Sequence, residues 1–234
     1  MRPEAVVLVA AGVGQRLGRS VDGPKALVSV AGVTLLDLAL QGLRAAAIRD
    51  VVVVHTPGYE RTFADIGRRH AVTRLVPGGE TRTASVRAGL AEIGSSVEVV
   101  AVHDAARALM PARVIRSVLD AVRGDVVAVA PARAVADTLK RVDGDEVVGT
   151  VDRSDLRAVQ TPQAFVPDVL RTALAEADDA TDDLGLVERA LADGRVEGRI
   201  ELVAGSPWGL KITYPEDLRL AEVLLDADRP GGGG

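Results

Sequence analysis

Short runs rich in valine alternate with amphipathic stretches over the first 131 residues, and this alternation limits the possible folds more than any other feature of the chain. The runs are apolar almost throughout, which is typical of parallel strands buried on both faces. The stretches between them have apolar residues at helical spacing. Alternating strands and helices indicate right-handed βαβ crossovers. We therefore predict an α/β fold, a single Rossmann-like domain over residues 1–226 whose mostly parallel sheet has helices on both faces.

The predicted elements follow from this pattern and from the turn residues between them. Strands are predicted at 5–11, 51–55, 72–76, 97–103 and 126–131, and helices at 34–47, 60–69, 81–92 and 111–122. Later in the chain, helices are predicted at 165–177, 181–192 and 215–225, and a strand at 199–203. Thr213 and Glu216 have the spacing of a capping box at the start of the last helix.

The rhythm changes after Pro131, where residues 137–156 predict a β-hairpin with its turn at Asp143–Gly144. Its strands are polar and would bury little against their own domain. We therefore expect an arm that projects from the body. The glycine-rich tail, residues 227–234, is expected to be disordered.

Composition limits where the protein can act and which kinds of ligand it can bind. Aromatic residues make up only 2% of the 234 residues while 47% are apolar, so the core must be aliphatic. The chain has no cysteine, which excludes disulfides and thiolate metal sites. A net charge of −5 argues against broad nucleic-acid binding, and no apolar run approaches the length of a membrane span. We expect a cytoplasmic protein that binds neither nucleic acid nor membrane.

The stretch "VVLVAAGVGQRLGRSVDGPK", residues 6–25, is similar to two phosphate-binding loops and matches neither. Leu17 stands where a dinucleotide fingerprint has its third glycine, and Arg19 where a Walker loop has its lysine. The small residues still let a ligand approach the backbone N–H groups, to which two nearby cations add positive charge. An ordinary βα turn is the alternative, but the added cations favour phosphate binding. The small residues are Ala10, Ala11, Gly12 and Gly14, and the cations are Arg16 and Lys25.

Two further loops should lie at the same sheet edge, since ligands bind beyond the carboxyl ends of parallel strands. In "PGGETRTAS", Arg82 and Ser85 share one face of a helix start, which suits a phosphate or a base edge, or simply caps a surface helix. In "HDAAR", Asp104 is placed to hold magnesium or to pair with Arg107. We expect His103 to have a structural role. No zinc-ligand spacing or nucleophile elbow is present.

Taken in order, these segments resemble those of the 2-C-methyl-D-erythritol 4-phosphate cytidylyltransferase family, within the sugar-nucleotidyltransferase-like superfamily. The resemblance extends from Val6 to about Leu225. It implies a fold like that of the nucleotide-diphospho-sugar transferases. The matching segments are "AAGVGQRLG…PKA", "GGETRTASV", "VHDAAR", "DTLKR", "TVDR", "AVQTPQAF", "TDD" and "LKITYPEDL".

The resemblance implies that the phosphate of methylerythritol phosphate attacks the α-phosphorus of CTP with release of pyrophosphate, in the non-mevalonate isoprenoid pathway. It implies a magnesium cofactor, with Asp104 as the carboxylate on the magnesium side. It also gives each matching position a role. The implied catalytic residues are Arg16, Lys25 and Lys211. The implied nucleotide-binding residues are Ala10, Ala11, Gly12, Gly14, Gly79, Arg82, Ser85, Asp104 and Ala105. The implied substrate-binding residues are Arg107, Thr138, Arg153, Thr161 and Thr181.

In the family the arm is exchanged between subunits, so the resemblance implies a homodimer in which Thr138 and Arg153 reach the partner's active site. The chain departs from the family pattern at Val9, Gln15, Ala108 and Leu184–Gly185. None of these departures removes a charge that the reaction needs. A ribitol 5-phosphate cytidylyltransferase of cell-wall polymer synthesis and a nucleotide-binding paralogue without catalysis are the alternatives. A dehydrogenase is disfavoured by the glycine spacing.

Overall fold

The computed structural model describes residues 2–17, 23–175, 177 and 179–227. Helices and strands alternate over most of this length, as the valine-rich runs predicted. The strands are β1 (Glu4–Val9), β2 (Ser29–Val30), β3 (Val33–Thr34), β4 (Asp50–His55), β5 (Arg74–Pro77), β6 (Val99–Asp104), β7 (Val126–Ala134), β8 (Leu139–Asp143), β9 (Glu146–Val151), β10 (Arg157–Val159), β11 (Gln163–Phe165) and β12 (Arg199–Ala204). The helices are α1 (Leu35–Ala45), α2 (Glu60–Arg69), α3 (Arg82–Ala91), α4 (Ala112–Ala121), α5 (Pro167–Ala175), α6 (Leu184–Ala192) and α7 (Pro215–Ala227).

The central sheet has the order β10-β7-β11-β6-β1-β4-β5, and β12 also pairs with β7. Strands β6, β1, β4 and β5 are parallel, and β12 is parallel to β7. Strands β10 and β11 are antiparallel to their neighbours. The prediction of a mostly parallel sheet is therefore confirmed. Because β6, β1, β4 and β5 end at one edge, the loops that follow them meet there.

Both faces of the sheet are buried, which explains the continuous apolar runs. In β1, Val6 and Leu8 pack into one core with helices α1, α2 and α4, while Ala5 and Val7 pack into a second core with α3, α5 and α6. All four residues are 0% exposed. Alternate side chains of one strand thus contribute to separate cores, and the prediction of helices on both faces is confirmed.

A third, smaller core lies beside α7 and fixes two loops of the sheet edge. Leu17 and Ile212 are both 0% exposed and pack there with Val30, Leu35 and other aliphatic residues. The amide of Ile212 donates to the carbonyl of Ala106 at 2.9 Å. Since Leu17 follows Arg16 and Ile212 follows Lys211, this core anchors the backbone beside two predicted catalytic cations.

The predicted hairpin is present as β8 and β9, which form a separate two-stranded sheet. Asp143 pairs with Glu146, so the two-residue loop is Gly144–Asp145, one residue later than predicted. Gly144 has φ +54°, a left-handed value that glycine adopts without strain. Most of the hairpin is exposed, including the side chains of Val142, Val147 and Val148.

The main error in the predicted elements is at Phe165, which the sequence placed at the start of a helix. Residues Gln163–Phe165 instead form β11, a buried antiparallel strand between β6 and β7, and the helix begins at Pro167. Proline suits a first helical turn, and this signal was missed. The antiparallel strand was not predictable because its partners are distant in sequence. Strands β2, β3 and β10 were also not predicted.

The ends of the last helix differ from the prediction as well. No Thr213–Glu216 capping box forms; instead, the carboxylate of Asp217 accepts the amides of Thr213 and Tyr214 at 2.7 and 2.8 Å. Helix α7 continues to Ala227, and the rest of the predicted tail, 228–234, lies outside the described residues. Within the described ranges, every helix is too short or too polar to cross a lipid bilayer.

Candidate active site

A cavity of about 730 Å³ opens at the carboxyl edge of β6, β1, β4 and β5. Every residue that the sequence predicted to be catalytic or nucleotide-binding lines it. These are Ala10, Ala11, Gly12, Gly14, Arg16, Lys25, Gly79, Arg82, Ser85, Asp104, Ala105 and Lys211. The cavity also includes residues that the sequence did not single out, among them Thr56, Pro57, Gly78, Glu80 and Thr81.

The loop after β1 forms one wall of the cavity with its backbone. Gly14 has φ +68°, and a β-carbon at this position would lie 3.1 Å from Cβ of Lys25. The amide of Lys25 donates to the carbonyl of Gly12 at 3.0 Å, which holds the lysine against the loop. A β-carbon on Gly12 would meet no protein atom within 4 Å. Protein packing therefore does not require a glycine at position 12. A ligand that approaches the backbone closely would require one.

The second glycine loop packs directly against the first. A β-carbon on Gly78 would lie 2.3 Å from Cβ of Ala11, so only glycine lets the two loops approach this closely. The hydroxyl of Ser85 accepts the amide of Gly79 at 3.1 Å and donates to the carbonyl of Thr81. Ser85 thus fixes the turn at the start of α3.

Asp104, at the end of β6, joins cations from distant parts of the chain. Its Oδ2 lies 2.8 Å from Nζ of Lys211, and its Oδ1 lies 3.3 Å from Nη2 of Arg82. Burial pushes the pKa of Asp104 upward, but Arg82 and Lys211 outweigh burial and hold it well below its usual range. Asp104 does not pair with Arg107, the local alternative that the sequence left open. The cavity therefore has a carboxylate that is ionised near neutral pH and lies between two cations.

Lys25 and Arg16 add positive charge to the same cavity. Burial and the nearby Lys211 lower the pKa of Lys25 to about 8, although Asp104 opposes this shift. The guanidinium carbon of Arg16 lies 5.9 Å from the ring centroid of Tyr214, a cation–π distance. These like charges repel one another, and binding an anion such as a polyphosphate would relieve that repulsion.

The segment before Lys211 is held by a buried side chain that sequence reasoning did not single out. Gln160 donates to the carbonyls of Ser206 and Gly209 at 2.8 and 3.1 Å and accepts the amide of Ser206 at 3.0 Å. The partly buried Trp208 lies in this segment, within the 3₁₀ turn Pro207–Gly209. Only the motif "AVQTPQAF" pointed to Gln160, because periodicity carries no signal for a buried amide.

Two of the predicted acceptor residues are used here to support the site. The hydroxyl of Thr161 accepts the amide of Asp104 and contacts Nδ1 of His103, both at 3.0 Å. Burial lowers the pKa of His103 to about 4, so the ring is neutral and structural, as predicted. Arg107 donates to the carbonyls of Gly209 and Val159 at 2.7 and 3.4 Å, which braces the segment before Lys211.

The other predicted acceptor residues do not reach the cavity of their own chain. Thr138 is exposed at the start of the hairpin. Arg153 is exposed at its far end and donates to the carbonyl of Ala136. Thr181 is exposed before α6. The structure thus brings together the predicted nucleotide side and leaves these three side chains outside.

Asp183 is a charged residue of the site that the sequence reasoning missed. It is 0% exposed, and its Oδ2 lies 2.8 Å from Nη2 of Arg82. Burial raises the pKa of Asp183, and the contact with Arg82 opposes that rise. The motif "TDD" contains this residue, but the sequence alone did not show that it would meet an arginine 101 positions away.

The number of carboxylates in the site limits how many protein ligands a metal ion could have. In the part of the chain that the structure describes, no three His, Asp or Glu side chains are grouped to hold an ion. Magnesium is commonly held by one or two carboxylates together with substrate phosphates and water. The ionised Asp104 meets that requirement as a single protein ligand. The residues therefore fit an ion that is shared with a phosphate ligand, and not a resident ion held by protein alone.

Comparisons with known proteins agree with this geometry. The family model described as 2-C-methyl-D-erythritol 4-phosphate cytidylyltransferase matches residues 5–227. Proteins with that name from Saccharopolyspora erythraea and Nocardia farcinica are 48% and 47% identical, over 92% and 93% of this chain and 96% and 91% of theirs. A crystal structure of the enzyme of that name from Thermus thermophilus superposes with a TM-score of 0.74 at 34% identity, covering 94% of this chain and 98% of that one. The chain therefore belongs to the 2-C-methyl-D-erythritol 4-phosphate cytidylyltransferase family.

Proposed function

We propose that this protein transfers the cytidylyl group of CTP to 2-C-methyl-D-erythritol 4-phosphate, as a step of non-mevalonate isoprenoid synthesis. The products are 4-diphosphocytidyl-2-C-methyl-D-erythritol and pyrophosphate. The observation that carries the proposal is the meeting of Lys25, Lys211 and Arg16 beside a backbone wall with open space at Gly12. Such a site binds a triphosphate and neutralises its charge.

The reaction has to bring two anions together, and the cations of the cavity remove that obstacle. Two unit charges about 4 Å apart repel by roughly 1 kcal/mol in water and about 4 kcal/mol at an effective dielectric of about 20. Lys25, Lys211 and Arg16 offset several such repulsions. They also stabilise the extra negative charge that develops on the α-phosphorus in the transition state.

The chemical step needs no covalent intermediate on the protein. A phosphate oxygen of the acceptor forms a bond to the α-phosphorus of CTP, and the bond from that phosphorus to the oxygen bridging to the β-phosphorus breaks. Pyrophosphate leaves with the electron pair. Lys25 and Lys211 hold the reacting phosphates in line, and the small residues after β1 let backbone N–H groups bind the triphosphate.

We also propose that magnesium is required, and that Asp104 would hold it together with the phosphates of CTP. When bound, the ion neutralises phosphate charge and polarises the phosphoryl group. Asp104 is suited to this because Arg82 and Lys211 hold its pKa well below the usual range, so the carboxylate is ionised near neutral pH.

A homodimer with exchanged arms is proposed for the working protein. In a single chain Thr138 and Arg153 lie away from the cavity, and the hairpin between them exposes Val142, Val147 and Val148. Exposed apolar side chains on a projecting arm favour contact with a partner. Residues of the arm would then complete the acceptor site of the partner. We further propose that the protein acts in the cytoplasm.

Product analysis tests the proposed function. The protein is incubated with each of the four ribonucleoside triphosphates, magnesium, and either methylerythritol phosphate or ribitol 5-phosphate. We expect one nucleotidyl product, formed from CTP and methylerythritol phosphate, with an equal amount of pyrophosphate. Product with ribitol phosphate alone would assign the alternative acceptor. No product from any combination would favour a paralogue without catalysis, although Arg16, Lys25, Arg153 and Lys211 are all present.

The pH dependence of the reaction should follow Lys25. Because its pKa is lowered to about 8, the side chain loses its charge as the pH rises through that value, and kcat/KM for CTP should fall. Asp104 and His103 titrate far below this range. In Lys25→Arg the guanidinium stays charged, so the fall should move to higher pH even if activity is reduced. The same profile in both proteins would show that another group is responsible.

A further inference from the structure

We propose that Asp183 is a positioning residue for the reaction: it holds the guanidinium of Arg82 so that Asp104 remains available to Lys211. The inference rests on the proposed function, and it concerns a residue that lies behind the cavity wall. Asp183 is absent from the cavity lining and has a side-chain exposure of 1%, so it acts through another residue.

Four charged side chains connect the cavity to Asp183. Lys211, Asp104, Arg82 and Asp183 form a chain of alternating sign with contacts of 2.8, 3.3 and 2.8 Å. The four formal charges sum to zero. The shorter contact of Arg82 is the one to Asp183 and the longer is the one to Asp104, so Asp183 holds the guanidinium more closely.

The guanidinium of Arg82 contacts only one oxygen of Asp104. Both Nε and Nη2 of Arg82 contact Oδ1 of Asp104 at 3.3 Å, and neither contacts Oδ2. Arginine and carboxylate prefer a bidentate pair in which two nitrogens meet two oxygens. The contact to Asp183 prevents this pairing, because Nη2 is shared between the two carboxylates. Oδ2 of Asp104 is thereby left to Lys211.

The pair of Arg82 and Asp183 is incompletely hydrogen-bonded. Nη1 of Arg82 and Oδ1 of Asp183 are buried atoms without a hydrogen-bond partner. A buried unpaired donor is costly, so once Asp183 is neutralised Arg82 would gain by turning Nη1 and Nη2 onto the two oxygens of Asp104. Arg82 would then compete with Lys211 for Oδ2 of Asp104, and the contact that holds Nζ of Lys211 in the cavity would lengthen.

The side chain of Gln163 holds the backbone of Asp183 in place for this role. Oε1 of Gln163 accepts the amides of Asp183 and Leu184 at 3.1 and 3.0 Å. Gln163 belongs to β11, whose neighbour β6 ends at Asp104. The two carboxylates on either side of Arg82 are therefore fixed by neighbouring strands of one sheet.

The test uses Asp183→Asn, with Asp182→Asn as the matched control. Asp182 is the adjacent carboxylate, and it contacts Gln163 and the amide of Gly185 rather than Arg82. We expect Asp183→Asn to lower kcat by about 10²-fold, the loss that follows a displacement of about 1 Å at a catalytic group. The KM for CTP should change by a smaller factor than kcat, because the backbone wall after β1 stays intact although Arg82 has turned. Asp182→Asn should retain kcat within a few fold of the wild type.

A double substitution and a crystal structure separate positioning from a merely structural role. If Asp183 acts through Arg82, adding Asp183→Asn to Arg82→Met should lower kcat no further than Arg82→Met does alone. The crystal structure of Asp183→Asn should show a bidentate Arg82–Asp104 pair, with Nζ of Lys211 more than 4 Å from Asp104. The proposal would be overturned by a wild-type kcat in Asp183→Asn, or by an unchanged Lys211–Asp104 contact in its crystal structure. It would also be overturned if the double variant lost kcat by the product of the two single losses. A wild-type protein without activity would overturn the proposed function instead, while the crystal structure would still decide the role of Asp183.

Discussion

Replacing either Lys25 or Lys211 by alanine is expected to lower kcat by about 10²–10³-fold, the size of effect seen when one preorganised donor to a transition-state charge is removed. Each lysine approaches the cavity from a different part of the chain, one after β1 and the other before α7. Neither can substitute for the other, since both charges are needed around one crowded phosphorus. Initial rates of pyrophosphate release measure the effect.

The chain supplies its own control for this experiment. It contains three lysines, and the third, Lys140, is exposed on the arm with its Nζ 2.7 Å from the hydroxyl of Thr150. Lys140→Ala should retain the wild-type rate within a few fold. The fold should survive in all three variants, as circular dichroism and the melting temperature can check. Rates within threefold of the wild type for both Lys25→Ala and Lys211→Ala would refute the proposed mechanism.

Arg153→Ala should also abolish most activity, and mixed dimers should restore it. In the proposed exchanged dimer the arm of one subunit completes the cavity of the other. A heterodimer of one Arg153→Ala chain and one Lys211→Ala chain then has one intact site. We expect about half of the wild-type turnover per dimer from purified heterodimers, since a two-fold dimer has two equivalent sites. Differently tagged chains, coexpressed and purified through both tags, provide the material.

A second heterodimer controls for subunit mixing as such. Lys25 and Lys211 line the cavity of the same chain, so a dimer of Lys25→Ala with Lys211→Ala has a defect in each site. It should have no more activity than the single variants. Equal activity of the two heterodimers would show that Arg153 serves the site of its own chain. An Arg153→Ala homodimer as active as the wild type would show that Arg153 serves no site.

The sequence predicted the sheet and the nucleotide side of the cavity because both depend on local patterns. Runs such as Val51–Val54 are buried on both faces and therefore apolar throughout, and small residues after β1 leave the backbone accessible. Helix starts were also predictable where Thr34 and Thr81 cap their helices through side-chain contacts to the amides of Asp37 and Ala84.

Other features depend on contacts between distant residues, and sequence patterns do not record these. β11 is three residues long and owes its strand conformation to β6 and β7 on either side. Asp183 matters because it pairs with Arg82, and Gln160 because its side chain binds the segment that begins at Ser206. Arg107 and Thr161 have polar side chains that could bind an acceptor phosphate. In this chain, however, Arg107 donates to the backbone before Lys211, and Thr161 accepts the amide of Asp104.

The aliphatic core has a practical consequence for anyone who studies ligand binding. Because the chain builds its core from valine, leucine, isoleucine and alanine, it retains a single tryptophan, Trp208. That residue is partly buried in the segment held by Gln160, three positions before Lys211. Indole emission responds to the polarity and rigidity of its surroundings. Excitation at the red edge of the indole absorption band does not excite the two tyrosines. The intrinsic fluorescence of the unmodified protein therefore reports on one edge of its own active site, without a label or a substitution.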